Sequence, residues 1–397
     1  MLRKFIAVLL ILCLLCPVLA LATEDDEEVS ITIFDSDGTV IAGDDTTADT
    51  AADADVPESD VTAPATDISK PVYEDDGSIV LKMTFTGDFT IGDNVQTSGQ
   101  SYFEKQLEKH DGDINFLLAN YKDILEDDDW TVLNFEGTLT TSDRNPDKLN
   151  NSFLFRADPA DVSVLPDNGV ECVSLENNHV LDMGEEGLAE TKKTLLGAGV
   201  SYYCESEPLV FTLKGVKMGM LAYQTFDQYD RLFTKVPEDV QALKAQGCEV
   251  VVISFHWGAE KDYYPNANQQ KMAKIAIDAG ADLVVGHHSH RINPIEEYNG
   301  KYIVYSLGNF CFAGNNKPDD MSTFVFQIKL RVKDGVCTND GFIIIPSRIS
   351  SVSKFNDLIP TPYDSQESID AVLSVLKKNG QKLENPVAEY PLSWGEE

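Results

Sequence analysis

Residues 281–310, ADLVVGHHSHRINPIEEYNGKYIVYSLGNF, decide how the rest of the chain is read, for they place three of the six histidines within four positions. Leu283, Val284 and Val285 form an apolar run of strand type that Gly286 is expected to stop. The chain then leaves a buried strand and presents His287, His288 and His290 at its carboxyl end, where ligands bind in open α/β sheets. His288 and His290 are one residue apart, so an extended segment points both rings to one face, within reach of one cation or two neighbouring cations. Taken alone, the stretch also reads as a polar loop with incidental histidines. The strands around it decide between the two.

Working outward, four other strand-like runs end in groups of the same chemistry. Ile79, Leu81, Met83 and Phe85 alternate with mostly polar residues and lead to Gly87 and Asp88, so Asp88 is expected at a strand's end. Residues 131–135 finish in Glu136 and Gly137. Residues 170–175 finish in Asn177, Asn178 and His179, with Asp182 and Gly184 just beyond. The nearly all-apolar residues 249–254 read as a strand buried on both faces and deliver His256, Trp257 and Gly258. One such ending reads as a turn or a helix cap. Five in succession point to one site at one edge of a sheet. Carboxylate, amide and imidazole without thiolate suit Mn, Fe or Zn, and the donors suffice for one or two divalent ions if a carboxylate bridges. His179 follows a candidate ligand and suits a general acid, with Asp182 fixing its tautomer. The competing reading has His179 only hydrogen-bonding in a helix-entry turn.

Between these runs the periodicity predicts helices over 101–125, 185–196, 237–246 and 268–279, and a last one from Ser365 to Gly380. A hairpin turns at Lys214 and Gly215, and antiparallel strands over 324–332 and 342–346 are joined around Lys333–Gly335. A further strand spans 302–306.

The 397 residues carry a net charge of −35, which argues against nucleic-acid binding, since phosphate backbones are held by Lys and Arg surpluses. Residues 1–22 combine Arg3 and Lys4 with an apolar run and an Ala20-Leu21-Ala22 ending. They read as a secretory signal peptide or, because the run is nearly long enough to span a bilayer, as an uncleaved anchor. The remainder is expected to be exported, at the cell surface or extracellular. Residues 23–77 hold eighteen acidic residues against Lys70 alone and read as a disordered acidic stalk, with room for a small hairpin over 29–41. The catalytic-type domain is expected over 78–350 and a one-helix extension packed on it over 351–397. Five cysteines outside the signal, without a C-x-x-C, are expected to be buried free thiols.

The ordered motifs Gly87-Asp88, Asn134-Phe135-Glu136-Gly137, Asn177-Asn178-His179-x-x-Asp182-x-Gly184, His256-Trp257-Gly258-x-Glu260, Gly286-His287-His288-x-His290 and Tyr305-Ser306-Leu307-Gly308-Asn309-Phe310 resemble those of the capsule-synthesis CapA family. Its members are poly-γ-glutamate biosynthesis proteins related to calcineurin-like metallophosphoesterases. The resemblance implies an α/β fold, a four-layer α/β/β/α sandwich. It places Asp88 and His290 on one metal, Asn178, His256 and His288 on the other, Glu136 between them, and His179 as the acid. It also implies an anionic polymer or phosphate-ester substrate and a poly-γ-glutamate synthase membrane complex as partner. The chain departs from the usual phosphoesterase opening, Asp-x-His, by having Thr90 two residues after Asp88. Two functions follow: an exported metal-dependent hydrolase, or a non-catalytic surface accessory protein with a structural or vestigial metal site.

Overall fold

Ile79, Leu81, Met83 and Phe85 face one way from their strand, and the same alternation recurs at Trp130 and Val132, at Met218, Met220 and Ala222, at Val250 and Val252, and at Leu283 and Val285. All of these side chains meet in one buried layer, so two sheets lie face to face. The residues between them point outward and build two further layers. Leu133, Phe135 and Val173 pack under Phe103, Leu117 and Leu195 of the first helical layer. Leu221, Val251, Ile253 and Val284 pack under Val236, Val240, Met272 and Ala276 of the second. Each fully buried aliphatic or aromatic side chain in such layers is worth about 1.5–3 kcal/mol, and this burial holds the sheets together. The α/β/β/α sandwich is therefore present.

The computed structural model describes residues 19–25, 28–34, 40–42, 67–68, 70–95, 100–142 and 153–395. The first sheet runs Ser201–Tyr203, Cys172–Ser174, Trp130–Phe135, Ile79–Thr90, Ser322–Lys333, Val336–Arg348, Thr361–Pro362, with Asn309–Phe312 also paired to Ile79–Thr90. The second runs Ile295–Tyr298, Lys301–Val304, Leu283–His287, Val250–His256, Val216–Gln224, Leu209–Leu213, Asp67–Ile68. Within each sheet the strands that carry the candidate residues run parallel to one another, which brings their carboxyl ends to one edge.

Several expectations are corrected. The Ile79–Thr90 strand does not end at Asp88 but continues to Thr90, because Asn309–Phe312 pairs beside its last residues and supplies backbone partners there. Gly286 does not stop its strand, which continues to His287. The helix expected over 101–125 is broken: Tyr102–Lys109 ends where Asp111 and Gly112 turn left-handed, and Ile114–Leu118 and Lys122–Leu125 are short separate turns. The helix expected from Pro237 begins eight residues earlier, as Tyr229–Ala245, because Leu232 and Val236 are buried against the second sheet. The strand expected over 302–306 is Lys301–Val304, the second arm of a hairpin with Ile295–Tyr298. The five cysteines are buried free thiols, as expected.

Residues 62–397 form one compact unit and residues 1–61 another. In the latter, Leu19–Asp25, Glu28–Phe34 and Val40–Ala42 pair antiparallel, and the first of these strands crosses the expected boundary at residue 22. Residues 1–18 and most of the acidic segment lie outside the described residues. Among the described residues no helix is long and apolar enough to cross a membrane. The closing helix Gln366–Gly380 contributes Val372 and Leu376 to the layer between the sheets.

At the opposite edge from the candidate residues, Glu171 accepts the Thr131 N–H at 2.7 Å, and burial, reinforced by Asp128, pushes its carboxyl up to about 7. A folded-state value above the ordinary one means that the native chain binds this proton more tightly. The associated stability is present below about pH 4.5 and is lost as pH rises through about 7. Glu171→Gln is expected to remove that loss, with a gain on the order of 1 kcal/mol at pH 8 and little change at pH 4. Denaturant unfolding at the two pH values checks it, and an equal effect at both would refute the assignment.

Candidate metal centre

Asp88 sits mid-strand between two partners, and the register sets Asn309, Asp88 and Asn134 side by side across three strands. That rung fixes the carboxylate: Asn134 Nδ2 donates to Asp88 Oδ1 at 2.9 Å, while Asn309 Oδ1 lies 2.7 Å from His290 Nδ1. The close pairing depends on Gly87, where a Cβ would fall 2.0 Å from the Gly308 carbonyl oxygen. Gly286 has the same role in the other sheet, with a Cβ falling 2.1 Å from the Tyr305 oxygen and 2.5 Å from Trp257 Nε1. Both glycines are required by backbone approach.

Glu136 follows the neighbouring strand, tied by its N–H to the Phe89 oxygen, and is wholly buried. Asn177, Asn178 and His179 form the turn after Cys172–Ser174, where Asn177 Nδ2 donates to the Phe135 oxygen and its Oδ1 accepts from the His179 N–H. The second sheet supplies the other four imidazoles. His256 and His287 end adjacent strands in register, and His288 and His290 follow in a turn with φ of 89° and 51°. The expectation of an extended His288-x-His290 segment is thus corrected. Left-handed backbone at two non-glycine residues is uncommon and costly, and such strain clusters at functional sites.

All eight expected residues fall in one network of contacts. Asp88, Glu136 and His256 each offer a ligand atom within 4.8 Å of the others. His290 Nδ1 is 3.1 Å from Asp88 Oδ2, and its Nε2 is 3.9 Å from Glu136 Oε1. His256 Nε2 is 2.7 Å from Asn178 Oδ1, and the His256 and His288 ring centres are 4.6 Å apart. His179 Nε2 lies 3.7 Å from Glu136 Oε1, while its Nδ1 is 2.7 Å from Asp182 Oδ2, which also accepts the Phe155 N–H. His287, the weaker candidate from sequence, has Nδ1 3.4 Å from Asp88 Oδ1 without hydrogen-bond alignment.

Electrostatics separate these groups. Burial alone would raise Asp88, yet His287 and His290 hold it well below the usual carboxylate range. Burial, with Asp88 adding repulsion, pushes Glu136 well above that range. Burial would lower His290, but Glu136 and Asp88 outweigh it and hold its pKa up at about 9. Burial brings His288 down to about 4 and His256 well below the usual imidazole value, so both stay neutral, as metal ligands must be.

The donor set fits a divalent cation. Both Glu136 oxygens and His288 Nδ1 are buried with no hydrogen-bond partner among the described residues. A buried acceptor without a partner costs about 1–3 kcal/mol, more when charged, and a cation is the group that relieves it.

Sequence reasoning missed the supporting residues. Asn134 and Asn309 stand inside quoted motifs, and their alignment with Asp88 depends on strand register. An aromatic rim was also missed: Phe155 lies 4.6 Å from the His179 ring, Phe226 4.7 Å from His288, and Phe312 5.0 Å from His290.

A layered α/β sandwich with carboxylate, amide and imidazole donors at one sheet edge defines a class, and sequence comparison gives the family. The model of the bacterial capsule synthesis protein PGA_cap family matches residues 82–314, and the chain belongs to that family. The PGA biosynthesis protein CapA of Bacillus subtilis is 31% identical over 65% of this chain and 69% of its own length. The capsule biosynthesis protein CapA of Bacillus anthracis is 28% identical over 58% of this chain and 60% of its own. A Mycobacterium tuberculosis protein named "Probable polyglutamine synthesis accessory protein" is 29% identical over 46% of this chain and 55% of its own. Among solved structures, a calcineurin-like phosphoesterase from Bacillus subtilis aligns with a TM-score of 0.42 at 17% identity, covering 76% of this chain and 99% of that one.

Proposed function

We propose that this chain is an exported, metal-dependent hydrolase of capsule or poly-γ-glutamate biosynthesis, acting on a phosphate ester or an anionic envelope polymer. The observation that carries the reading is Glu136: a fully buried carboxylate, both oxygens without a donor, within reach of His179 from its own sheet and of His256 and His290 from the opposite one. In this reading Asp88 and His290 would hold one divalent cation (Mn, Fe or Zn), Asn178, His256 and His288 would hold a second, and Glu136 would serve both. Such cations supply Lewis acidity toward a phosphoryl or acyl oxygen and acidify water near neutral pH.

The chain's own groups do the rest. Asp182, itself fixed by the Phe155 N–H, holds His179 Nδ1, so Nε2 faces the pocket and is placed to give a proton to the departing oxygen. Asn134 keeps Asp88 in place, and Asn309 orients His290. Phe155, Phe226 and Phe312 border the donors and limit the access of bulk water.

The non-catalytic accessory reading, in which the chain binds the polymer or its membrane synthase, has one observation in its favour. Thr90 stands where two-metal phosphoesterases usually have histidine, and its hydroxyl is engaged by the Glu136 carbonyl oxygen at 3.0 Å. Elemental analysis of the full chain, with turnover of p-nitrophenyl phosphate, bis-p-nitrophenyl phosphate and poly-γ-glutamate in Mn, Fe or Zn, tests both readings. Two bound equivalents with turnover are expected. One equivalent or none, with no turnover under any metal, would favour the accessory reading.

A further inference from the structure

The metal centre has a gap at Thr90 and a surplus at His287. Asp88 and Thr90 stand two residues apart on one strand and so share a face, where an Asp-x-His opening would set an imidazole beside the carboxylate. Thr90 offers a hydroxyl in its place, and that hydroxyl already donates to the Glu136 carbonyl oxygen at 3.0 Å. On the reading above, the cation beside Asp88 therefore receives an imidazole from His290 and none from Asp88's own strand. His287 is buried on the opposite sheet, at 3% exposure, and its Nδ1 has no hydrogen-bond partner among the described residues. It is the register partner of His256 on the adjacent parallel strand, and such partners point to the same face of their sheet. His256 faces the centre, with Nε2 2.7 Å from Asn178 Oδ1, so His287 faces it too. Its Nδ1 comes to 3.4 Å from Asp88 Oδ1. The backbone beside the ring is pinned: the His287 oxygen accepts the Trp257 N–H at 3.4 Å, and the His288 N–H donates to Asp88 Oδ2 at 3.3 Å.

Asp88 is already supplied with donors. Its Oδ1 accepts from Asn134 Nδ2 at 2.9 Å, and its Oδ2 faces His290 Nδ1 at 3.1 Å. A ring placed to give Asp88 one more hydrogen bond would align its N–H with Oδ1, and His287 does not. A ring placed only for packing would be better apolar, since a buried nitrogen without a partner costs about 1–3 kcal/mol. Sharing a cation accounts for both facts. With metal–nitrogen and metal–oxygen bonds of about 2.0–2.2 Å, two ligand atoms of a tetrahedral set stand about 3.3–3.6 Å apart, and they need no alignment toward each other. The observed 3.4 Å between His287 Nδ1 and Asp88 Oδ1 is that spacing.

We propose that His287 Nδ1 is a ligand of the cation that Asp88 holds, supplying from the opposite sheet the imidazole that Thr90 leaves out of Asp88's own strand. The proposal rests on the metal reading above and adds a ligand to it. Absorption spectra of the full chain loaded with Co²⁺ test it. His287→Cys is expected to add a thiolate-to-cobalt charge-transfer band to the wild-type spectrum. Ser289→Cys is the control and is expected to add none, because the Ser289 hydroxyl it replaces is engaged by the Arg291 oxygen and the Ser306 hydroxyl. In calorimetric titration, His287→Ala is expected to weaken the binding of one Co²⁺ by about 100-fold or more, since loss of a residue that only supports a ligand already costs about 10–100-fold. A His287→Cys chain with an unchanged thermal midpoint in chelator and no band overturns the assignment. So does a His287→Ala chain that binds Co²⁺ as the wild type does, and this variant decides alone if the cysteine variant does not fold. Neither readout uses turnover. A chain that shows the band but takes up one cation only, or hydrolyses nothing, keeps the ligand and overturns the two-metal hydrolytic reading, whereas a wild type that takes up no cation overturns both.

Discussion

Glu136→Gln is expected to have opposite effects on activity and on metal-free stability. With metal supplied, the variant should retain at most one cation, and turnover of bis-p-nitrophenyl phosphate should fall by about 10²–10⁴-fold, the rate equivalent of several kcal/mol of lost charge stabilisation. In chelator the same variant should unfold at a higher temperature than the wild type. The metal-free pocket buries two carboxylates near one another, and burial together with Asp88 already drives the Glu136 carboxyl well above its usual range. An isosteric amide removes that repulsion and the unpaired charge, a relief of about 1–3 kcal/mol. Elemental analysis, steady-state kinetics and thermal unfolding with and without chelator read the three quantities. A variant that keeps both cations and full turnover, or that is destabilised without metal, would show that Glu136 is only a packing residue.

His179→Ala should leave metal content unchanged and still cost about 10²–10⁴-fold in turnover, the usual contribution of a positioned proton donor. The loss should depend on the leaving group. A p-nitrophenolate departs without much help, so its esters should be affected least, whereas an alkyl phosphate should lose nearly all turnover. Asp182→Asn should cost less, about 10–100-fold, since Asp182 acts by holding Nδ1 at 2.7 Å and touches no substrate. Equal losses for good and poor leaving groups would refute the proton-donor role for His179.

The framework was legible because apolar alternation and strand-ending glycines are local signals, and residues such as Leu81, Val132 and Val252 could be placed without knowing their neighbours. The errors came from partners remote in sequence. Asp88 lies inside a strand because Asn309–Phe312 pairs across it, and no feature near Asp88 announces that. Nothing near Asn134 or Asn309 in sequence marks either as a partner of Asp88, yet the register makes them the two residues flanking the carboxylate. The proline at 237 reads as a helix start, but burial of Leu232 and Val236 extends the helix in front of it. Two misses were avoidable. Asp111-Gly112 and Asn299-Gly300 are turn dipeptides, and the left-handed backbone at both breaks the first helix and closes the Ile295–Val304 hairpin. The His288 and His290 conformations were not legible at all, since a short polar run carries no sign of the handedness of its backbone.

The two sheets contribute unequally in time as well as in chemistry. The candidate metal donors run from Asp88 on the first sheet to His290 on the second, so a growing chain holds only carboxylate and amide donors until His256 emerges, nearly two thirds of the way along. On the proposed reading, cation capture would come late, after both halves have docked, and the ion acquired would be the one plentiful where that docking occurs. The compartment of folding, more than the preference of any single side chain, would then select the metal.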